Sequence, residues 1–543
     1  MISTTPRILA VLSVLHEGAD VNAATRRFRN EPVLAWTLRR LSAAAMVEST
    51  VLLCWDDQLA AIEPIASTFG VMACCHGTRR AMPHMESVSA ARRWSDGWRG
   101  GPMGTSAFDA GFDGVSVLSA LRRANADAVA LIDPAAALLD PQLVDAVIGQ
   151  WQANQEREWA FSPAATGLAC MVLGRAVLER LASTPGLYPG RMLHYFPDQV
   201  SREPLADARC APTPTLVARS LHRFTVTGER QRERIESATV DLNGQLVASS
   251  AEAIVARMNA TAGVLDRLPR EVVLELTPRR LSKPIFSASA AGEFDRPDLP
   301  AETAMSLIDE LASLDDARLT IAGVGDPMLH ADLPAIIRHA ADRGVAVNVE
   351  TDLLADDAAV LQLADSPADV VSVHLPATTP ATYAAVMGID AYGRALRNVQ
   401  TLAARRAAAG RGIPLLIPVF TKCRQNQHEM EAWYDQWLRA VGTAVITSPS
   451  TFGGRIADVA PADMSPPRRI SCRRLSDRIT VLSDGRYVSC DQDVAGRQPL
   501  ARAGETPLGE VWIGRLNVIR DQHARQCWND LPVCAGCREW HRP

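Results

Sequence analysis

Apolar positions along this chain follow two rhythms. Short runs rich in Val, Leu and Ile alternate with longer stretches whose apolar residues recur at helical spacing. The first rhythm predicts buried strands, the second amphipathic helices. Near the start, RILAVLSVL (7–15) reads as a strand, Glu31 to Leu41 as a helix with Pro32 in its first turn, and VESTVLLCW (47–55) as a second strand. Strand, helix, strand predicts a βαβ unit and a parallel sheet. A later strand, Ala128 to Ile132, runs into Asp133, and Asp140-Pro141 opens another helix. Residues 76–114 read as a glycine-rich loop region, of the kind that is functional or plain surface. The run ERQRER (229–234) reads as a solvated helix face or linker, with a domain boundary near 235–268.

From Glu271 the alternation becomes regular. VVLEL, LTIAG, VAVNVET, ADVVSVHLP and PLLIPVFTK read as strands, with helices such as PAETAMSLIDELASL and DLPAIIRHAADRG between them. Repeated βα units predict a parallel sheet, open or curved into a barrel, with ligands at the C-terminal strand ends. Those ends are Thr277-Pro278-Arg279, Gly323-Val324-Gly325-Asp326-Pro327, Thr351-Asp352 and His374-Leu375-Pro376. His374 reads more readily as a locally bonded side chain than as a general base, and Asp326 as an Asx-type brace of its own loop.

The last seventy or so residues change character again. Five of the eleven cysteines fall here: Cys472, Cys490, Cys527, Cys534 and Cys537. Asp484-Gly485 between two β-prone runs predicts a hairpin that carries Cys490 back toward Cys472. Cys534 and Cys537 form a Cys-x-x-Cys pair that aims two sulfurs at one point. Spacing alone leaves zinc and an iron–sulfur cluster about even, with four plain buried thiols as the bland third reading.

Composition adds limits. The 543 residues suffice for two to four domains. At 47% hydrophobic, 22% charged and net charge −5, the chain has no basic field that argues for nucleic acid. No run of about 18 apolar residues marks a membrane span, and the N-terminus lacks the cleavage site of a secretory signal. Cys54, Cys74, Cys75, Cys170, Cys210 and Cys423 are scattered in mostly apolar contexts, as expected of free thiols in a cytoplasmic protein.

Three resemblances sharpen the expectations. The pattern Cys472, Asp484-Gly485, Cys490, Leu508-Gly509-Glu510-Val511-Trp512, then Cys534-Ala535-Gly536-Cys537 resembles the SPASM/twitch domain that closes many radical SAM enzymes. The resemblance implies one auxiliary [4Fe–4S] cluster on Cys472, Cys490, Cys534 and Cys537, with Cys527 a spare or substitute. Residues from about 270 to 452 resemble the radical SAM partial barrel. There Gly323, Gly325 and Asp326 match the loop that receives the methionine end of S-adenosylmethionine (SAM), and TPATYAAVMG and Asn426-Gln427-His428-Glu429 are also similar. The family's Cys-x3-Cys-x2-Cys is absent: aligned on Thr277-Pro278, its positions hold Arg280, Pro284 and Ser287. Without three thiolates to hold a catalytic cluster, canonical SAM cleavage is not expected, and SAM loses its main anchor.

The front of the chain is similar to the nucleotidyltransferase (GT-A-like) fold, with Gly18, Arg26, Arg27 and Arg29 in the loop after the first strand and Asp133 at the acidic strand end. It departs from that pattern in having one glycine in the loop and Asn30 or Glu31 where a lysine belongs. The whole layout resembles the spiro-SPASM proteins. The expected division is an α/β nucleotidyltransferase-like domain (1–235), a helical linker (236–268), a radical SAM-like partial barrel (269–460) and a SPASM/twitch domain (461–543). The implied function is an iron–sulfur protein with an unknown small-molecule or protein partner. The alternatives are a nucleotidyl- or glycosyltransferase of polysaccharide synthesis acting through the front domain, and a zinc ribbon that only staples the C-terminus.

Overall fold

In the computed structural model, residues 6–154, 156, 158–184, 186–198, 203–261 and 265–542 are described. The chain is mixed α/β and divides into two compact units, residues 1–264 and 265–543.

The first unit is built on a six-stranded sheet. Its strands are β1 (Ile8–Ser13), β2 (Ser49–Cys54), β3 (Met72–Cys75), β4 (Ala128–Ile132), β5 (Trp159–Phe161) and β6 (Met171–Gly174), in the order β3-β2-β1-β4-β6-β5. β3, β2, β1 and β4 pair parallel, and β6 runs antiparallel to both β4 and β5. The order reverses between β1 and β4, where open α/β sheets leave a crevice beyond the strand ends. The Val33–Leu41 helix starts two residues later than its sequence suggests. Pro32 caps it from outside, because Glu31–Pro32 first pairs with Arg27–Phe28 in a short ladder. Asp140 caps the Pro141–Ala153 helix by accepting from Gln142 N at 2.9 Å. The region 76–114 is not all loop. Pro at its first position and the buried face Met85, Val88 and Ala91 carry a helix over Pro83–Arg93.

Residues 236–261 of the expected linker hold the end of the Glu229–Ala238 helix and all of the Ala251–Ala260 helix, while 262–264 lie outside the described residues. Ile235, Ala238, Ile254, Val255 and Met258 share one core with Phe28, Val33 and Trp36. Arg40 ties this segment down from the inside. It is 1% exposed and donates to the carbonyls of Leu139, Leu246 (2.7 Å), Val247 (2.8 Å) and Ser249 (2.8 Å).

The second unit is built on a nine-stranded sheet. Six parallel strands come first: β7 (Glu271–Leu274), β8 (Arg318–Ile321), β9 (Ala346–Thr351), β10 (Val370–His374), β11 (Leu415–Thr421) and β12 (Val445–Thr447). The tail adds β13 (Arg478–Val481), β14 (Arg486–Val488) and β15 (Ala501–Arg502), giving the order β12-β11-β10-β9-β8-β7-β13-β14-β15. Alternate residues such as Leu319, Ile321, Val347, Val349, Val371 and Val373 enter the main core with the helices. Thr320, Asn348 and Ser372 occupy the intervening positions and bond among polar groups: Thr320 Oγ1 donates to Glu271 at 2.6 Å, and Ser372 Oγ to Asn348 at 2.9 Å. One face of the sheet is therefore apolar, and the other is polar through the middle strands, with Val273 and Ile417 buried on it at the flanking strands.

The predicted hairpin forms. β13 and β14 pair antiparallel with Thr480 opposite Val488 and Val481 opposite Tyr487, and Gly485 turns the chain at φ 83°. Replacing Arg40 by Met leaves four carbonyl groups without their donor. It should lower the stability of the first unit by about 3 kcal/mol in urea denaturation, with secondary structure retained.

Candidate functional site

Hydrogen bonds at the tail explain how separate segments meet. β13 pairs parallel with β7, and β14 returns along it, so Cys490 is delivered two residues past Val488 to the end of the hairpin where Cys472 lies. Cys537 N donates to Cys534 O at 3.1 Å, which closes the Cys-x-x-Cys turn. Cys472, Cys490, Cys534 and Cys537 line one pocket, together with Arg469, Arg474, His523 and Glu539. Cys527 is not among the lining residues, and its thiol bonds to Arg525 O at 3.5 Å.

The four thiols feel one another. Burial pushes up the pKa of each, and Cys472 adds a repulsive push on Cys490, Cys534 and Cys537. Cys534 is pushed up to about 12. Backbone N–H groups of Arg474, Gln492 and Glu539 work the other way on Cys472, Cys490 and Cys537, favouring the thiolates. Buried thiols that repel one another and already receive N–H bonds suit a cationic centre, which would remove the cost of ionising them. Among the described residues, no group of three or more His, Cys, Asp or Glu is drawn close enough to hold a single metal ion.

At the C-terminal ends of the parallel strands stands a second constellation. Arg280 pairs with Asp352 through two contacts, one of them Nε to Oδ2 at 2.8 Å, with side chains 6% and 1% exposed. Ser282 Oγ also donates to Asp352, and His374 Nδ1 lies 3.1 Å from its Oδ1. Burial opposes ionisation of Asp352, but Arg280 and His374 outweigh it and hold the carboxyl well below the usual range. Burial raises Asp326, and the charge of Asp352 adds to that rise. Asp326 accepts from Met328 N, Thr351 Oγ1 and Asp352 N, which is the Asx-type brace expected of it. His374 is locally bonded, as its position suggests.

Gly323 and Gly325 serve close packing. A Cβ on Gly325 would lie 2.1 Å from Thr277 O, and one on Gly323 would lie 2.6 Å from Glu275 Cγ. Val324 N donates to Glu275 at 3.0 Å. The loop that holds Arg280, Pro284 and Ser287 is seated by Lys283 N on Met387 O and Ile285 N on Val386 O, both at 2.9 Å. A guanidinium, a proline and a hydroxyl cannot ligate a [4Fe–4S] cluster as three thiolates do, so these residues do not fit one.

In the first unit a cavity opens at the β1/β4 crevice, lined by Ser13, Trp98, Phe108, Asp133, Thr166 and Gly167 among others. Asp133 Oδ1 accepts from Ala135 N at 2.8 Å, the turn-capping role that its sequence also allows. Arg26 pairs with Glu229 at 3.3 Å, Arg29 N donates to Glu236 at 2.8 Å, and Arg27 bonds to Asn30 O. None of the three lines the cavity. The glycine-rich loop does: Trp98 stacks on Phe161 with centroids 5.4 Å apart. Burial pushes the Asp109 carboxyl in that loop up to about 6, against the N–H groups of Ser106 and Gly190. The sequence marks this stretch as a functional loop or plain surface without deciding between them, and the structure packs Trp98 and Phe108 of it against the cavity. Among the described residues no helix is long and apolar enough to cross a membrane.

No protein-family model matches the chain. An uncharacterized protein of Treponema pallidum (strain Nichols) is 26% identical over 307 residues, covering 54% of this chain and 84% of its own. Similar known structures include BtrN in complex with AdoMet and 2-DOIA, at 16% identity and TM-score 0.34, over 50% of this chain and 94% of BtrN. Streptococcus suis SuiB bound to its precursor peptide SuiA gives 13% identity and TM-score 0.40, over 55% and 81%. A cytidylyltransferase from Leptospira borgpetersenii gives 16% identity and TM-score 0.32, over 48% and 94%. Likenesses at these scores decide nothing about chemistry.

Replacing Arg280 by Ala leaves Asp352 buried without its guanidinium, with only Ser282 and His374 beside it. It should cost about 3–5 kcal/mol in denaturant unfolding, and adding Asp352→Asn should return much of that loss.

Proposed function

We propose that this chain is an iron–sulfur protein of the radical SAM/SPASM type that does not cleave SAM in the usual way. Cys472, Cys490, Cys534 and Cys537 hold one auxiliary [4Fe–4S] cluster in the tail, on a radical SAM-like partial barrel without a catalytic cluster of its own. The carrying observation is that the four cysteines picked out by the tail motif line one pocket, while Cys527 does not. The Arg280–Asp352 pair at the barrel mouth supports the second half, because a neutralised ion pair stands where thiolates are needed. A bound cluster would supply one-electron chemistry and a cross-link between three segments of the tail. The four thiols bind it, and the N–H groups around them favour its thiolate ligands. Partner and substrate are a small molecule or protein, and the setting is cytoplasmic.

The test is metal and sulfide analysis of anaerobically purified protein. The expected result is about four irons and four sulfides per chain, lost in Cys534→Ser, with no 5′-deoxyadenosine formed on reduction with SAM. One zinc without sulfide, or 5′-deoxyadenosine above background, overturns the reading.

A second reading places nucleotidyl or glycosyl transfer in the first unit, favoured by the cavity beside Asp133 at the switch point of the sheet. If it holds, a magnesium nucleotide raises the melting temperature of the protein and Asp133→Ala abolishes the rise. No rise with any common nucleotide excludes it.

A further inference from the structure

The tail pocket contains donors as well as thiols. Arg469, Arg474 and His523 line it beside the four cysteines. Arg469 Nε, Arg474 Nε and His523 Nε2 are buried and meet no acceptor in the protein. Their other atoms are fixed. Arg474 pairs with Asp491 at 2.6 Å, Arg469 Nη2 donates to Cys534 O at 2.9 Å, and the Arg469 guanidinium lies over the Trp528 ring at 4.9 Å. Cys472 N donates to His523 Nδ1 at 3.3 Å, so Nδ1 carries a lone pair and the proton sits on Nε2. His523 is 1% exposed and Arg474 8%.

Buried N–H groups without acceptors are rare and costly, about 1–3 kcal/mol each. Three around one pocket call for acceptor atoms brought in from outside. They also call for negative charge, because two of the three belong to guanidinium groups that do not deprotonate. The four cysteine sulfurs are already in the pocket and leave these donors unmatched. A lone zinc ion brings a cation and no acceptor. An iron–sulfur cluster brings sulfides, and with four thiolates it is anionic overall.

We propose that Arg469, Arg474 and His523 form a donor shell that bonds to the sulfides of the cluster and sets its reduction potential. This rests on the cluster proposed above. The shell stabilises added negative charge, so it favours the reduced form. Arg474 and Arg469 contribute charge as well as N–H bonds. His523 contributes a neutral donor whose tautomer is locked by the Cys472 backbone.

The experiment is a mediated redox titration, followed in visible absorption, of the reconstituted full chain and of Arg474→Gln and Arg469→Gln. Each substitution removes a permanent charge and a donor, and should shift the reduction equilibrium about tenfold toward the oxidised form, or about 59 mV for one electron. Arg469→Gln leaves the Arg474–Asp491 pair intact, so it reads the potential even where Arg474→Gln fails to hold iron. Midpoints within twofold of the unsubstituted protein in every variant that holds its cluster overturn the donor shell and leave the cluster standing. Zinc without sulfide in the unsubstituted protein overturns both.

Discussion

One strand pairing governs the second unit. β7 is the first strand of a parallel sheet, and its outer edge would otherwise expose a row of unpaired N–H and C=O groups. The tail strand β13 takes that edge in parallel register, Arg478 opposite Glu271 through Val481 opposite Leu274. The residue just past β7 completes the joint. Glu275 N donates to Val481 O at 2.9 Å, and its carboxylate accepts from Val324 N, from Ser483 N and from Arg296 at 2.5 Å. One buried carboxylate thus fixes the loop after β8, the hairpin turn and the segment around Arg296. The cysteine pocket inherits its geometry from this joint, because the hairpin that delivers Cys490 hangs from it.

Much of this was legible in the sequence, and the physical reasons are local. The Asp484-Gly485 turn needs φ above zero at Gly485, and a Cys-x-x-Cys turn needs only its own backbone. The Leu333–Asp342 helix announces itself through Leu333, Ile336, Ile337 and Ala340 at helical spacing, all buried. What stayed hidden is non-local. No pattern within RITVL says that it pairs with VVLEL some two hundred residues earlier. Arg280 looked like a missing cysteine, and only the fold places Asp352 beside it. Arg469, Arg474 and His523 lie in a stretch rich in arginines, some exposed and some, such as Arg520, bonded to backbone carbonyls, so composition could not single them out. The Pro83–Arg93 helix was lost because its apolar residues are few and its flanks are rich in glycine and arginine.

The arginines of the first loop illustrate the same limit from the other side. Arg26 and Arg29 suit a phosphate by residue type, yet the Arg26 guanidinium pairs with Glu229, and the Arg29 guanidinium donates to Thr239 Oγ1 at 2.9 Å, just past the Glu229–Ala238 helix that the sequence presents as a highly charged run. A charged run need not be a solvated face. Here Arg230 is 1% exposed, Glu229 answers the charge of Arg26 two hundred residues away, and Glu236 accepts from the backbone N–H of Arg29.

The two polar constellations of the second unit differ in one respect that separates their roles. At the C-terminal ends of the parallel strands, Asp352 meets a guanidinium, a hydroxyl and an imidazole, and Asp326 takes two backbone N–H groups and a hydroxyl. These charges are matched within the protein, so the network stands as a finished piece of structure. In the tail pocket, the thiolate forms of neighbouring cysteines would repel one another and buried donors meet no acceptor in the protein. Buried polar groups without partners cost stability, and a ligand that met these would return part of that cost. The partner proposed for this pocket is cationic enough to hold four thiolates and carries sulfides that can receive three N–H groups. On the proposed reading, those two demands meet in an iron–sulfur cluster and conflict in a bare metal ion, which is why the proposal places the chemistry in the tail.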